Sequence, residues 1–380
     1  MFEFKYDYEY LIHLIYCAVF DVQPQEKPEG ISFRNVFELG REHEVANIAF
    51  LSIEKLETKP GDDVYNDWKI FYYFSVERDM KQELEYGEVL DMLHKNGIRT
   101  LEAQGTVTKT LYPASELRMM SDIDFIIDPE NVEKVKELMT DRGYNVDRPQ
   151  EFELDAFNGN KMEIEFHSEF FTRYMYNREE RYYRAINKPF DHAEPSEEDG
   201  LKYVLSDTYF YLYSLLHIIK HFEVAGCGIR RILDLYFLKK AYAGKVDGEL
   251  IDRVIDENGF RESYDTLFAV EALWFENEPT ELDVSAAIND IINSGNHGAA
   301  SIQTRNEIRK DRGKGERFVK LKKLRAFIFP RKEYIYLEFP ECRERGYSTF
   351  ACQIYRIFKK LFRFNFSHAK RYIKTIMKSD

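Results

Sequence analysis

Apolar residues recur at helical spacing through the first quarter of the chain. The pattern predicts a helix over residues 7–20 that ends before Pro24, and further helices over about 33–57 and 66–95. Asn96-Gly97 follows the last of these, and this pair supplies the left-handed residue that helix ends favour. We therefore predict a helical amino-terminal region, residues 1–96.

The pattern changes after Gly97 to short segments that alternate between strand and helix periodicity. It predicts strands over 98–103, 122–127, 152–157 and 162–167, and helices over 106–112 and about 130–142. Asn158-Gly159-Asn160 separates the last two strands, and Asn-Gly tolerates the positive φ angles of a type I′ hairpin turn. Residues 97–190 are therefore predicted to form a small α+β unit.

Helical periodicity returns in the second half of the chain. The acidic stretch from Asp191 to Gly200 is predicted to be an exposed linker, and helices are predicted over about 201–223, 229–243, 248–257 and 263–275. These helices make up a predicted domain over 200–304, followed by a last region over 305–380. Two or three compact units are expected, because single hydrophobic cores stop growing at about 250–300 residues.

Charge is distributed unevenly along the sequence. The chain carries 54 basic and 67 acidic residues, a net charge of −13, yet residues 305–380 hold 22 basic residues against 8 acidic ones. This basic helical tail has three interpretations: contact with nucleic acid such as an RNA acceptor, attachment to an anionic membrane surface, or packing against the acidic body of the chain. We favour the third.

Composition limits the class of protein further. With 44% apolar and 15% aromatic residues, the chain can form a core, so disorder is excluded as its main state. No run reaches the roughly 18–20 consecutive apolar residues of a spanning helix, and the first residues lack the basic start of a signal peptide. A cytoplasmic location is expected. Four widely spaced cysteines are predicted to be reduced, mostly buried thiols: Cys17, Cys227, Cys342 and Cys352.

Two aspartates share one face of the strand predicted over 122–127. Side chains alternate along a strand, so Asp122 and Asp124 project together while the apolar residues between and after them enter the core. Their α-carbons would lie roughly 6.5–7 Å apart, which suits a pair of Mg²⁺ ions about 3.5–4 Å apart. An Asp-x-Asp triplet alone is weak evidence, because solvated acids on an amphipathic strand account for most examples.

The second hairpin strand strengthens the case. Alternation places Glu163, Glu165 and His167 on one face. Two neighbouring strands would then bring acids to a shared face, and their repulsion is costly unless cations or basic groups lie between them. Clustered carboxylates of this kind mark a candidate functional site.

Groups that could bind a triphosphate precede the aspartates. Gly105 and Thr106 open a predicted helix, where a glycine lets phosphate approach free backbone N–H groups. Lys109 follows one helical turn later and Arg118 comes just before the aspartate strand. Each cation alone is equally well explained as a surface residue. Together these groups supply amide donors and positive charge beside a metal platform.

In this order the motifs resemble the uncharacterised nucleotidyltransferase family of the polymerase-β-like superfamily. The likeness covers most of the chain, to about residue 360. It rests on Gly105-Thr106, Tyr112-Pro113, Arg118, Asp122-Ile123-Asp124, Gly143-Tyr144, Glu165-Phe166-His167, His217 to His221, Gly228 to Arg231, Leu233 to Leu235 and Phe329-Pro330.

The resemblance implies a polymerase-β-like α+β core, a small mixed sheet with helices, between helical flanks. It also implies transfer of a nucleoside monophosphate from a nucleoside triphosphate to a hydroxyl acceptor, with release of pyrophosphate and with two Mg²⁺ ions, or Mn²⁺ in their place. Asp122 and Asp124 match the paired metal ligands and Glu165 the third carboxylate. Glu163 is a rival for that third role, because it shares the face.

The resemblance also implies nucleotide-binding residues. Gly105 and Thr106 match the turn that seats the triphosphate, although Gln104 stands where relatives often have lysine, a role that Lys109 could take over. His217 and His221 share a helical face that, with Arg230 and Asp234, would close one side of the nucleotide cleft, and ordinary polar packing between helices is an equal alternative. The two histidines do not match the zinc-protease pattern, since Ile218 replaces its glutamate.

Other functions stay open. The same fold could serve a catalytically silent nucleotide- or RNA-binding protein. An Asp-x-Asp sugar transferase is disfavoured, because in those enzymes the apolar strand normally precedes the acids, whereas here it follows them. The sequence does not identify the nucleotide or the acceptor, which could be a protein, an RNA, a sugar or a small metabolite.

Overall fold

The computed structural model divides the chain into two compact units. One comprises residues 1–222 and 227–297, and the other comprises 223–226 and 298–380. The structure describes residues 4–102, 104–150, 153–159, 162–171, 180–197, 199–296, 298, 302, 335, 342 and 345–355. Most of the basic tail lies outside these residues, so its proposed contacts stay predictions, as do the four predicted domains.

Four helices form the amino-terminal region, as the hydrophobic periodicity predicts. They are α1 (Asp7–Val19), α2 (Phe33–Glu42), α3 (Ala46–Ile53) and α4 (Asp62–Lys95). The single helix predicted over 33–57 is wrong, because the chain turns between α2 and α3, where Glu44 has a φ of 54°. The predicted end of α4 is confirmed, and Gly97 there has a φ of 71°.

A seven-stranded mixed sheet forms the centre of the first unit. Its strands are β1 (Thr100–Glu102), β2 (Ile123–Ile127), β3 (Asn145–Gln150), β4 (Glu153–Phe157), β5 (Glu163–His167), β6 (Ala193–Pro195) and β7 (Lys202–Leu205). The spatial order is β3-β4-β5-β2-β1-β7-β6. The pairs β2–β5 and β1–β7 are parallel and the others are antiparallel. The α+β class with a small mixed sheet is confirmed.

Two predictions beside this sheet are wrong. The stretch 191–200 is not only a linker, because β6 lies within it, and the helix predicted from residue 201 starts later because β7 comes first. The β4–β5 hairpin is confirmed but its two-residue type I′ turn is not. Phe157 pairs with Glu163, and the wider loop is closed by Asn158, whose side-chain oxygen accepts a hydrogen bond from the Met162 N–H (3.0 Å).

The described residues form further helices after β1. They are α5 (Gln104–Lys109), α6 (Val132–Asp141), α7 (Glu180–Ala185), α8 (Asp207–Val224), α9 (Ile229–Ala241), α10 (Gly248–Glu257), α11 (Arg261–Glu271) and α12 (Ser285–Ser294). Of these, α7 and α12 were not predicted. In the part of the chain that the structure describes, no helix is long and apolar enough to cross a membrane. The four cysteines are free and buried, as predicted.

The two faces of β2 enter different hydrophobic cores. Ile123, Phe125 and Ile127 pack with apolar residues of α4 and α6, and the Phe125 ring stacks on that of Tyr86 at 5.1 Å between centroids. Ile126, on the opposite face, belongs to the large core built with the amino-terminal and carboxy-terminal helices. Alternation places Asp124 on that same face. The aspartate therefore projects from the sheet towards the helical part of the unit.

Candidate functional site

Two carboxylates and one imidazole converge on adjacent parallel strands. Asp124 of β2 is in register with Glu165 of β5. One ligand atom from each of these residues and one from His167 all lie within 4.8 Å of one another. The side chains of Asp124, Glu165 and His167 are 25%, 27% and 24% exposed. The group, which we call the acid cluster, is therefore accessible to solvent.

His167 bridges the two carboxylates. Its Nε2 lies 3.2 Å from Asp124 Oδ1 and 3.2 Å from Glu165 Oε2. Burial alone would lower the pKa of this imidazole, but the hydrogen bonds and negative charges of the two carboxylates raise the pKa to about 10. The ring is therefore an imidazolium at neutral pH. It supplies part of the positive charge that two facing carboxylates require.

Asp122 stands just before β2, within electrostatic reach of the acid cluster. Burial, followed by the charges of Asp124 and Glu165, raises the pKa of Asp122 to about 7, while Arg230 opposes the shift. Glu163 is on the same face, and its pKa is raised by burial and by Glu165 and Asp124. Glu163 is the first residue of β5, where it pairs with Phe157 of β4, and it does not belong to the acid cluster.

The structure adds acids that the sequence analysis missed. Asp155 of β4 is in register with Glu165, and Glu153 with His167. Burial and the neighbouring carboxylates raise the pKa of Asp155 to about 6. The sequence contains a signal for these acids, because acidic and apolar residues alternate in Glu153-Leu154-Asp155 as they do in β2 and β5. Three strands therefore carry acids on one face.

Helix α4 fixes the segment that leads into Asp122. Arg78 donates from Nε to the Met120 carbonyl (2.8 Å) and from Nη2 to the Ser121 carbonyl (2.7 Å). Gln82, one turn later, donates to the same Met120 oxygen at 3.1 Å. Because these carbonyls precede the aspartate directly, the long helix determines where Asp122 stands.

The predicted glycine turn lies beside the acid cluster. Gly105 is at the start of α5, and a β-carbon added there would lie 3.8 Å from Asp124 Oδ2 and 3.0 Å from Met120 Sδ. Any side chain at this position would narrow the space next to the aspartate. Thr106 follows in the helix and is buried. The sequence and the structure thus bring the turn and the carboxylates together.

Arg118 and Asp234 form a buried ion pair behind this turn. Arg118 donates from Nε to Asp234 Oδ1 (2.7 Å) and from Nη2 to Oδ2 (3.0 Å), and the Tyr112 hydroxyl donates to Oδ1 at 2.7 Å. Burial would raise the pKa of Asp234, but Arg118 holds it below its usual value. Arg118 Nη1 also donates to the Gly105 carbonyl at 3.3 Å. The pair therefore supports the glycine turn.

Lys109 forms ion pairs with helix α4. Its ammonium group donates to Asp79 Oδ1 at 2.8 Å and forms an ion pair with Glu83, both on α4. The lysine is 3% exposed. Its predicted role in binding phosphate stays a prediction, and in this structure its charge is balanced by α4.

Helix α8 presents its predicted residues near the acids. His217 and His221 have ring centroids 4.6 Å apart. Burial lowers the pKa of His217 far below its usual value, and the positive charges of neighbours that include His167 lower it further. Tyr213, one turn before His217, has its pKa raised by burial and by Asp124 and Glu165. The amino-terminal half of α8 therefore lies close to the acid cluster.

Comparison with known families identifies the group to which this chain belongs. A family described as an uncharacterised nucleotidyltransferase matches residues 29–276. The chain belongs to this nucleotidyltransferase family. The matched span contains the glycine turn and all the acids described above, and a nucleotide substrate and nucleotidyl transfer follow from membership at this general level.

Other comparisons add little about the site. A search of curated proteins found no match. Among solved structures, the solution structure of the antibiotic-resistance factor ANT(2'')-Ia aligns with 50% of this chain and 96% of its own, at 12% identity and a TM-score of 0.35. Similarity at that level carries no argument about individual residues.

The donor set fits a hard divalent cation. Mg²⁺ prefers carboxylate oxygens and retains several water ligands, and the acid cluster offers two carboxylates that are partly open to solvent, with Asp122 nearby. The imidazolium of His167 lies between the carboxylate oxygens of Asp124 and Glu165 in this structure. The acid cluster and Asp122 thus offer the carboxylate ligands that such a cation would require.

Proposed function

We propose that the protein is a metal-dependent nucleotidyltransferase that transfers a nucleoside monophosphate from a nucleoside triphosphate to a hydroxyl acceptor. The observation that carries this proposal is the register of Asp124 with Glu165 across a parallel strand pair, beside Gly105. Family membership supports the same class of reaction. An acidic face next to a glycine turn is suited to a polyphosphate whose charge is balanced by cations.

Asp122, Asp124 and Glu165 would hold two Mg²⁺ ions, or Mn²⁺. When bound, such ions stabilise the attacking and leaving oxygens of an in-line displacement. The acceptor oxygen bonds to the α-phosphorus, the bond from that phosphorus to the bridging oxygen breaks, and pyrophosphate leaves with its electron pair. Glu165, which is in register with Asp124 on the neighbouring strand, would accept the proton of the acceptor hydroxyl.

The remaining predicted residues would bind the nucleotide. Backbone N–H groups at Gly105 and Thr106 would receive the triphosphate. Arg118 and Asp234 would hold this turn in place through the contact of Arg118 with the Gly105 carbonyl. We also assign His217, His221, Arg230 and Lys109 to the nucleotide site as proposals, the first three because they lie on α8 and α9 near the acids.

A catalytically silent nucleotide- or RNA-binding protein is the alternative. The convergence of three acids, two in register and Asp122 within their electrostatic reach, favours catalysis over that alternative. The acceptor in our proposal is a hydroxyl group of a protein, an RNA, a sugar or a metabolite. The basic tail could bind an RNA acceptor. We place the reaction in the cytoplasm.

The test is a transfer assay with each labelled nucleoside triphosphate, Mg²⁺ or Mn²⁺, and cell extract. The wild-type protein is expected to label an acceptor and to release pyrophosphate. Asp124→Asn should abolish both, because it removes a metal-binding charge at the centre of the acid cluster. Asp141→Asn, at the exposed end of α6, is the matched control and should be as active as wild type. Equal activity of Asp124→Asn and wild type would defeat the proposal.

A further inference from the structure

Arg231 is a buried arginine that has no counter-ion among the described residues. It is 9% exposed, and its buried Nε atom has no hydrogen-bond partner in the same part of the chain. Among the residues that the structure describes, no acidic side chain forms an ion pair with it. Burial and the positive charges of Arg230 and Arg118 together lower the pKa of this guanidinium to about 10, although the charge of Asp234 opposes the shift. An unpaired buried charge is costly.

The nearby acids are already engaged with other cations. Asp234 accepts two hydrogen bonds from Arg118. Glu44 pairs with Arg230 and accepts a hydrogen bond from Asn296 at 2.7 Å. Arg231 therefore adds a positive charge that the described side chains do not balance.

The position of Arg231 on its helix increases the positive potential. Arg230 and Arg231 are the second and third residues of α9, a helix of 13 residues that starts at Ile229. The first turn of a helix carries a partial positive charge, so cations there are unfavourable and anions are favoured. An anion bound between the helix and the arginine side chains would compensate for the positive charge of two consecutive arginines at this position.

Other cationic or polar groups surround the same place. The charges of Arg231, Lys220 and His167 all act on His217. His217 itself has a buried Nδ1 with no hydrogen-bond partner among the described residues. Since His167 contacts Asp124, this set of groups extends from the start of α9 to the acid cluster.

We propose that Arg231 binds the β- or γ-phosphate of the nucleoside triphosphate and that His217 lines the same phosphate site. This inference rests on the proposed function. It specifies that these residues recognise the part of the substrate that leaves as pyrophosphate. The phosphate oxygens would give the guanidinium the charged hydrogen bonds that the described side chains do not provide.

Titration of inorganic tripolyphosphate into the full-length protein tests this inference. The measurement is made by calorimetry in EDTA and repeated with Mg²⁺, so that it needs no acceptor and no turnover. Arg231→Met should weaken binding at least about tenfold, the loss expected for a charge-assisted hydrogen bond. Arg253→Met removes the same charge from an exposed position on α10 and should bind as wild type does.

Stability of the unliganded variant provides a second readout. Because Arg231 is unpaired, its replacement by Met should leave the Tm without ligand unchanged or higher, while reducing the increase in Tm that tripolyphosphate produces. A folded Arg231→Met variant with wild-type affinity would overturn the inference. A variant that fails to fold, or a wild-type protein that does not bind tripolyphosphate, would overturn it as well.

The two proposals can fail separately. Binding of tripolyphosphate through Arg231 without any nucleotidyl transfer would support the phosphate site and count against the proposed reaction. Transfer by the wild-type protein together with unchanged tripolyphosphate affinity in Arg231→Met would support the reaction and overturn the role of Arg231.

Discussion

At the scale of single residues, the register of β2 and β5 discriminates between two glutamates. Glu165 faces Asp124, whereas Glu163 is two residues earlier on β5, opposite Phe157 of β4. We predict that Glu165→Gln lowers the rate of nucleotidyl transfer by at least about 100-fold, the range seen when a group that accepts a proton is removed. Glu163→Gln, an equal chemical change on the same face, should retain most of the activity.

Initial rates of pyrophosphate release from both variants check this prediction. Their circular dichroism spectra and Tm values should match those of the wild type, because both glutamates are partly exposed. The opposite order of activities, with Glu163→Gln inactive and Glu165→Gln active, would show that Glu163 is the third carboxylate.

Some acids of the site could be predicted from sequence because strand alternation is a local property. It groups Asp122 with Asp124 on one strand and Glu163 with Glu165 on another, whereas the register that brings Asp124 beside Glu165 depends on strand pairing. The partners of cations could not be predicted in this way. Lys109 follows the glycine turn by one helical turn, yet Asp79, 30 positions earlier in the chain, binds it. The choice of partner for a long side chain depends on tertiary packing.

At the scale of elements, the ion pair of Arg118 with Asp234 joins the segment before β2 to helix α9. Both side chains are buried. Asp234→Ala should lower the free energy of unfolding by about 3–5 kcal/mol, because it leaves the Arg118 charge buried without its partner. The double variant Arg118→Met with Asp234→Leu should lose less than Asp234→Ala alone. Urea unfolding monitored by circular dichroism measures these differences, and additive losses would contradict the account.

His43 links three helices and makes stability depend on pH. Its Nδ1 accepts a hydrogen bond from the Ile229 N–H (3.1 Å) at the start of α9, and its Nε2 lies 3.1 Å from the Ile292 carbonyl of α12. Burial lowers the pKa of His43 to about 4. The folded state therefore favours the neutral ring, whereas the unfolded chain binds a proton near pH 6.5.

Stability due to His43 is thus fully present above about pH 6.5 and is lost as the pH falls towards 4. We predict that the contribution of His43 to the free energy of unfolding decreases between pH 7 and pH 5, so that the free energy of unfolding of His43→Gln rises relative to that of the wild type as the pH falls over this range. His13, whose pKa is also lowered to about 4 by burial, should keep contributing in the variant. Equal slopes for His43→Gln and wild type would exclude His43 as a cause.

Two of the strands that the sequence did not predict are short and lie towards one edge of the sheet. β6 and β7 have three and four residues, too few for alternation to be distinguished from a loop. β7 pairs in parallel with β1, about 100 positions earlier in the chain. Such pairing depends on how the chain returns to the sheet, whereas the long helices α1 and α4 follow from local periodicity.

At the scale of the whole molecule, the first unit holds acidic and cationic groups within electrostatic reach of each other. Arg230, in the first turn of α9, acts on Asp122, and the charges of Arg231 and His167 both act on His217. A nucleoside triphosphate with metal ions would complement both sets of charges, because the ions bind the carboxylates and the phosphates bind the arginines. The family, the acid cluster and the proposed phosphate site are therefore all consistent with one substrate, a nucleoside triphosphate.

Counting the Mn²⁺ ions bound to the protein tests the central claim most directly. Electron paramagnetic resonance measures bound Mn²⁺ during titration, in the presence of a nonhydrolysable nucleoside triphosphate analogue. The account predicts two bound ions per chain for the wild type, and at most one, weakly bound, for both Asp124→Asn and Glu165→Gln. Equal Mn²⁺ binding by these variants and the wild type would contradict a metal site at these carboxylates.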